Sequence, residues 1–324
     1  MQSQVTKNIL NTIIFYDILD YPLTSFEIWK YLIVATGDAK EDSRCSLEEI
    51  SREINSGKLV NHISESLGFY FLKGREELVS QRLEHNKHSI SKYKIAQKAA
   101  KWLRFCPFVR MIALTGSVAM KNTERNSDID YFVVLEQGRI WTGRLLATAL
   151  VHLLGMRRHG SKVKDRICLN YFIKSDNLEI KLKDIFGANE YSFIFPIFAY
   201  SYLGAKSDED SRAAFERFSE KNINWIKKIK PNFGFAELES PKYLPHSRLS
   251  KFIQKWLEYL INALGGDIME SWVRKFQVRK IEKNPLTHKR GAYVEYDDKN
   301  LIFLPEPQGE KIFIEYMKRL KALT

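Results

Sequence analysis

The sequence predicts an α+β protein in three parts: N-terminal helices closed by a short β-hairpin, a central α/β core with a mixed sheet, and a mostly helical C-terminal region. Three observations carry this. Residues 1–85 contain two helix-opening Ser/Thr-x-x-Glu signals and end in two short β-like runs. From residue 108 onward, apolar runs of strand length alternate with helical stretches. Further on, helical periodicity returns, broken by one hairpin-like segment around residues 297–300.

In the first part, Ile9, Ile13, Ile14, Tyr16, Ile18 and Leu19 are apolar at near-helical spacing, and Asp20-Tyr21-Pro22 stops the helix. Thr24 and Glu27 open a second helix through Ile33. Ser46 and Glu49 open a third through Ile54, closed near Gly57. Residues 59–63 and 69–72 read as two strands around Gly68. This order resembles a winged helix-turn-helix. The third helix carries Glu48, Glu49 and Glu53 beside Arg52, and the hairpin adds only Lys73 and Arg75. Acids there repel phosphate, so the resemblance implies contact with protein or with another domain ahead of DNA. A helix, in one or two pieces, is predicted over 76–105. Its part from 86 to 107 connects this unit to the core and ends at Cys106-Pro107. Its basic residues, Lys92 among them, read as a solvated face, with phosphate contact as the alternative.

The core is assigned to 108–232. A strand at 109–114 meets Gly116-Ser117, a short helix begins near 117–121, and a strand follows at 128–135. That strand opens with Asp128 and Asp130. Residues two apart on a strand share a face, so both carboxylates reach one cation. The glycine turn offers backbone N–H groups and a hydroxyl to a phosphate. A helix at 140–154 and a strand at 167–173 complete the unit.

Leu114-Thr115-Gly116-Ser117, ten residues, then Asp128-Ile129-Asp130 between apolar strands resembles the nucleotidyltransferase core of the DNA polymerase β superfamily. Looser similarity over 184–202 and 222–232 extends to bacterial nucleotidyltransferase-domain proteins of unsettled activity. The resemblance implies that Gly116 and Ser117 hold the phosphates of a nucleoside triphosphate such as ATP. It implies that Asp128 and Asp130 ligate Mg²⁺ (or Mn²⁺). Lys121, Arg125 and Arg139 are lesser candidates for phosphate contact. Many members carry a third acid on the next strand. Here that place falls on Asn170, which cannot act as a base at neutral pH. Glu179, in a Leu-Glu-Ile setting, is the alternative ligand, and Asp165 a weaker one. The expected activity is transfer of a nucleoside monophosphate onto an acceptor hydroxyl of a protein, an RNA or a small molecule. The alternative is a nucleotide-sensing regulator with little or no turnover. Glu190, Trp225 and Asn232 read as helix packing and a helix stop.

Residues 233–248 read as a linker, and 249–324 as a helical region with a small hairpin. Helices are predicted at 249–264, 267–281 and 309–323, and strands at 289–296 and 301–304. The composition, 44% apolar and 13% aromatic over 324 residues, excludes a disordered chain. A net charge of +12 suits polyanionic or phosphate-bearing partners, or a plainly basic surface. Cys45, Cys106 and Cys168 are isolated, which excludes a disulfide framework and a paired-cysteine zinc site. A cytoplasmic setting is expected, and no secretory signal is read at the start. The apolar run 145–156 is too short to span a bilayer, so no membrane partner is expected.

Overall fold

The computed structural model describes residues 3–34, 43–199, 213–235, 244 and 247–323. Helix α1 (Gln4–Ile18) starts where the Ser3 side chain accepts from the Thr6 amide, and ends before Asp20, whose φ is +49°. Helices α2 (Ser25–Lys30) and α3 (Leu47–Asn55) both open with complete capping boxes, on Thr24/Glu27 and Ser46/Glu49. Helix α2 stops short of Ile33. The Ile33 amide donates to Thr12 Oγ1 (2.9 Å) and the Val34 amide to the Ile229 carbonyl (2.9 Å), so tertiary partners displace helical ones.

Strands β1 (Leu23–Thr24), β2 (Ile63–Ser66) and β3 (Phe69–Leu72) form an antiparallel sheet in the order β1-β3-β2. The strand expected at 59–63 is a correction. The Val60 amide donates to the Gly57 carbonyl and the His62 amide to Leu59, making turns that bury Leu59 before β2 begins. The connecting segment is one helix, α4 (Glu77–Leu103).

A six-stranded mixed sheet forms the centre. It contains β4 (Val109–Leu114), β5 (Ile129–Leu135), β6 (Ile167–Lys174), β7 (Phe195–Ala199), β8 (Tyr293–Tyr296) and β9 (Asn300–Leu304). The order is β7-β4-β5-β6-β9-β8, with β5 and β6 parallel and the other pairs antiparallel. Short α5 (Gly116–Ala119) joins β4 to β5, and α6 (Ile140–Leu153) crosses from β5 to β6. The hairpin expected within a helical C-terminal region is thus part of the central sheet, because β9 pairs with the free edge of β6. Strand β7 was not expected at all; it pairs with β4 after α7 (Ile185–Ser192).

Both faces of the sheet are covered, which is why β4 and β5 read as unbroken apolar runs. Met111, Ala113, Phe132, Val134 and Ile173 face α1, α7, α8 (Ala213–Lys227) and α11 (Gly309–Leu323). Ile112, Leu114, Tyr131, Val133 and Phe172 face the other core, with α4 and α6. Helices α9 (Arg248–Ala263) and α10 (Gly266–Glu282) pack beyond α6. Helix α9 buries its polar side: Gln254 donates to the Cys106 and Val109 carbonyls, and Glu258 binds Arg110. Its Phe252, Trp256 and Tyr259 are exposed. Most of the stretch expected as a linker lies outside the described residues; Leu244 within it donates its amide to the Ile197 carbonyl (2.8 Å). Residues 200–202 of the looser similarity also lie outside them. Among the described residues, no helix is long and apolar enough to cross a membrane.

Candidate functional site

The site forms where β4 ends and β5 and β6 begin. After Leu114, the Thr115 amide donates to the Asp130 carbonyl (3.2 Å), and the chain turns through Gly116 at φ +63°. A Cβ on Gly116 would stand 2.9 Å from Asp130 Oδ2, so both the turn and the close approach require glycine. Ser117 follows, and its Oγ donates to Thr123 Oγ1 (3.0 Å). The loop leading to β5 is tied down from beneath by Lys92. Its ammonium, 2% exposed, donates to the Arg125 and Ser127 carbonyls and pairs with Asp165 (2.7 Å). Lys92 is therefore neither a solvated nor a phosphate-facing residue.

Asp128 precedes β5 and Asp130 lies within it; two apart, they share a face of the sheet, and on β6 Cys168 is the register partner of Asp130. One ligand atom from each of Asp128, Asp130 and Cys168 lies within 4.8 Å of the others. The parallel register shifts between Tyr131 and Phe132, which leaves Asn170 as the extra residue on β6. Its Nδ2 donates to Asp130 Oδ1 (3.1 Å). Arg158, from the segment between α6 and β6, holds Asp128 Oδ2 at 2.6 Å. Burial, then the neighbouring Asp128, pushes the Asp130 carboxyl up to about 7, against the pull of Arg158, Cys168 and Asn170.

Gly116, Ser117, Asp130 and Asn170 line a cavity of about 620 Å³, together with Tyr293 and Gln308 of the C-terminal region. Glu190, on α7, lines it too. Burial, then the charges of Asp130 and Asp184, pushes its carboxyl up to about 7. A divalent cation fits this donor set through the hard carboxylate oxygens of Asp128 and Asp130. Cys168 fits a hard cation poorly, because burial and both aspartates push its thiol up and keep it protonated.

The structure thus brings together Gly116, Ser117, Asp128, Asp130 and Asn170. It does not bring Glu179, which sits exposed beyond β6 and pairs with Lys183. The second strand register that would have supplied it does not form. Asp165 is committed to Lys92, and Arg139 to Asp267 (2.7 Å) and Asn262 (3.0 Å). Lys121 and Arg125 are exposed and do not line the cavity. Sequence reasoning missed two site residues. Arg158 was visible only as a basic pair after a helix, and Glu190 only as a residue within an apolar-looking helix. No family model matches the chain, and neither a curated protein nor a solved structure is significantly similar to it.

Proposed function

We propose that the protein is a divalent-cation-dependent nucleotidyltransferase of the DNA polymerase β type, acting in the cytoplasm. The observation that carries this is the packing of the Gly116 turn directly on Asp130, which shares its carboxylate cluster with Asp128, in the wall of a cavity of nucleotide size. In this reading Asp128 and Asp130 hold Mg²⁺ or Mn²⁺, and the Gly116-Ser117 turn receives the β- and γ-phosphates. The cation, when bound, neutralises charge on the triphosphate and on the departing pyrophosphate. An acceptor hydroxyl oxygen attacks the α-phosphorus, the bond to pyrophosphate breaks, and the hydroxyl proton passes to a base. Glu190 suits that role in place of the missing strand acid, since a carboxyl titrating near 7 is half ionised at neutral pH. With a cation on the aspartates, Arg158, which pairs with Asp128, would be free to place its charge against the phosphates.

The second reading, a nucleotide sensor without turnover, is favoured by Asn170, which offers Asp130 an N–H where active relatives of this type carry an acid. The N-terminal helices and the β1-β3-β2 sheet support a winged helix over 1–85. The acids of α3 point it toward protein contact. Incubation with triphosphate labelled at the α-phosphate, Mg²⁺ or Mn²⁺, and protein, RNA or small-molecule acceptors separates the two. Label transfer that vanishes in Asp128→Ala/Asp130→Ala supports the enzyme. Binding without transfer under every condition rejects it in favour of the sensor.

A further inference from the structure

Beside the site lies a second, larger cavity of about 810 Å³, walled by α6, α10, β6 and β9. Its charged lining is basic: Arg144, Arg157, Arg158 and Lys280 stand against Glu306, which is itself bound to Lys289. Arg158 is turned to Asp128, but Arg144 takes part in no ion pair among the described residues. Its guanidinium stacks 4.4 Å from the Phe303 ring centroid, and its Nη1 is held by Gln277 Oε1. Gln277 is fixed in turn by donating to the Trp141 carbonyl (2.8 Å). The Arg144 Nε is buried with no hydrogen-bond partner. Burial, then the neighbouring Arg157, lowers this group to about 10, so a positioned cation stands uncompensated and still charged at neutral pH. Such an arrangement is costly in an empty protein and favourable once an anion fills it. The two cavities share Asn170, Leu304, Glu306 and Gln308, so they adjoin at Asn170, whose side chain donates to Asp130.

We propose that this cavity binds a small phosphate-bearing molecule with its anionic group on Arg144. On the nucleotidyltransferase reading, on which this role rests, that molecule is the acceptor and the nucleotide occupies the first cavity. The test is calorimetric titration of the full chain with inorganic phosphate, with and without Mg²⁺–ATP. Phosphate is expected to bind wild type and Asp130→Asn alike, and to bind about tenfold more weakly to Arg144→Gln. Exposed Lys280→Gln, which leaves the buried wall intact, is expected to weaken it about threefold. Arg144→Lys, which keeps the charge, controls for loss of fold. Absence of phosphate binding to wild type, or undiminished binding in both Arg144→Gln and Lys280→Gln, overturns the site. Competition between phosphate and Mg²⁺–ATP overturns the acceptor role. Intact phosphate binding without any ATP binding sinks the nucleotidyltransferase reading alone.

Discussion

At the scale of single residues, Gly116 and Glu190 are where the site is most exposed to test. Gly116→Ala adds a Cβ 2.9 Å from Asp130 Oδ2 at a positive φ, so it should cost about 1–3 kcal/mol in denaturant unfolding and weaken triphosphate binding. An alanine variant as stable as wild type would contradict the close approach. Glu190 titrates near 7 in the fold, above its ordinary value near 4.5. Between those pH values the folded state holds a proton that the unfolded chain has released. Its contribution to stability is full below about pH 4.5 and is lost as the pH rises through about 7. Stability should therefore fall between pH 5 and 8 less steeply in Glu190→Gln than in wild type, by on the order of 2 kcal/mol. Equal slopes would place Glu190 outside the buried field of Asp130. Gly116, Ser117 and the two aspartates were legible in the sequence because turn and strand spacing fix them locally. Arg158 and Glu190 were not, because each reaches the site only through tertiary packing.

At the scale of elements, polar side chains under the sheet decide the packing. Arg110 is buried on β4 and bonded to Glu136 and to both oxygens of Glu258, which also accepts from the Phe108 amide (2.6 Å). Glu258→Ala leaves a buried cation short of a partner and an amide unsatisfied. It should cost about 3–5 kcal/mol by chemical denaturation, and a cost under 1 kcal/mol would refute the account of α9. The helical period of α9 was plain in the sequence. Which face it buries was not, because burial here follows Glu258 and Gln254 rather than Phe252, Trp256 and Tyr259. Lys92→Met on α4 removes two carbonyl contacts and the Asp165 pair below the loop to Asp128. It should cost about 1–3 kcal/mol. Triphosphate binding should weaken with it, and unchanged binding would show that the loop holds its shape unaided.

At the scale of the whole molecule, the C-terminal segment completes the fold. Strand β9 covers the β6 edge, Leu301 and Ile302 enter the two cores, and Tyr316 of α11 packs against Phe15 of α1. Removing residues 284–324 should leave an aggregating or molten chain by near-ultraviolet circular dichroism; a native-like spectrum would show that the sheet ends at β6. The sequence revealed this hairpin but not its place, since strand pairing over so long a separation leaves no local pattern. The +12 charge was equally visible, yet only folding gathers Arg144, Arg157 and Lys280 around one cavity. The proposed function stands or falls with Asp128 and Asp130 forming, with the Gly116 turn, a cation–triphosphate site. Equilibrium binding of labelled ATP with and without Mg²⁺ measures it directly. Cation-dependent binding is expected in wild type and Glu179→Gln, weakened at least about tenfold in Asp128→Asn/Asp130→Asn. Binding that ignores the cation, or that survives undiminished in the double variant, would contradict it.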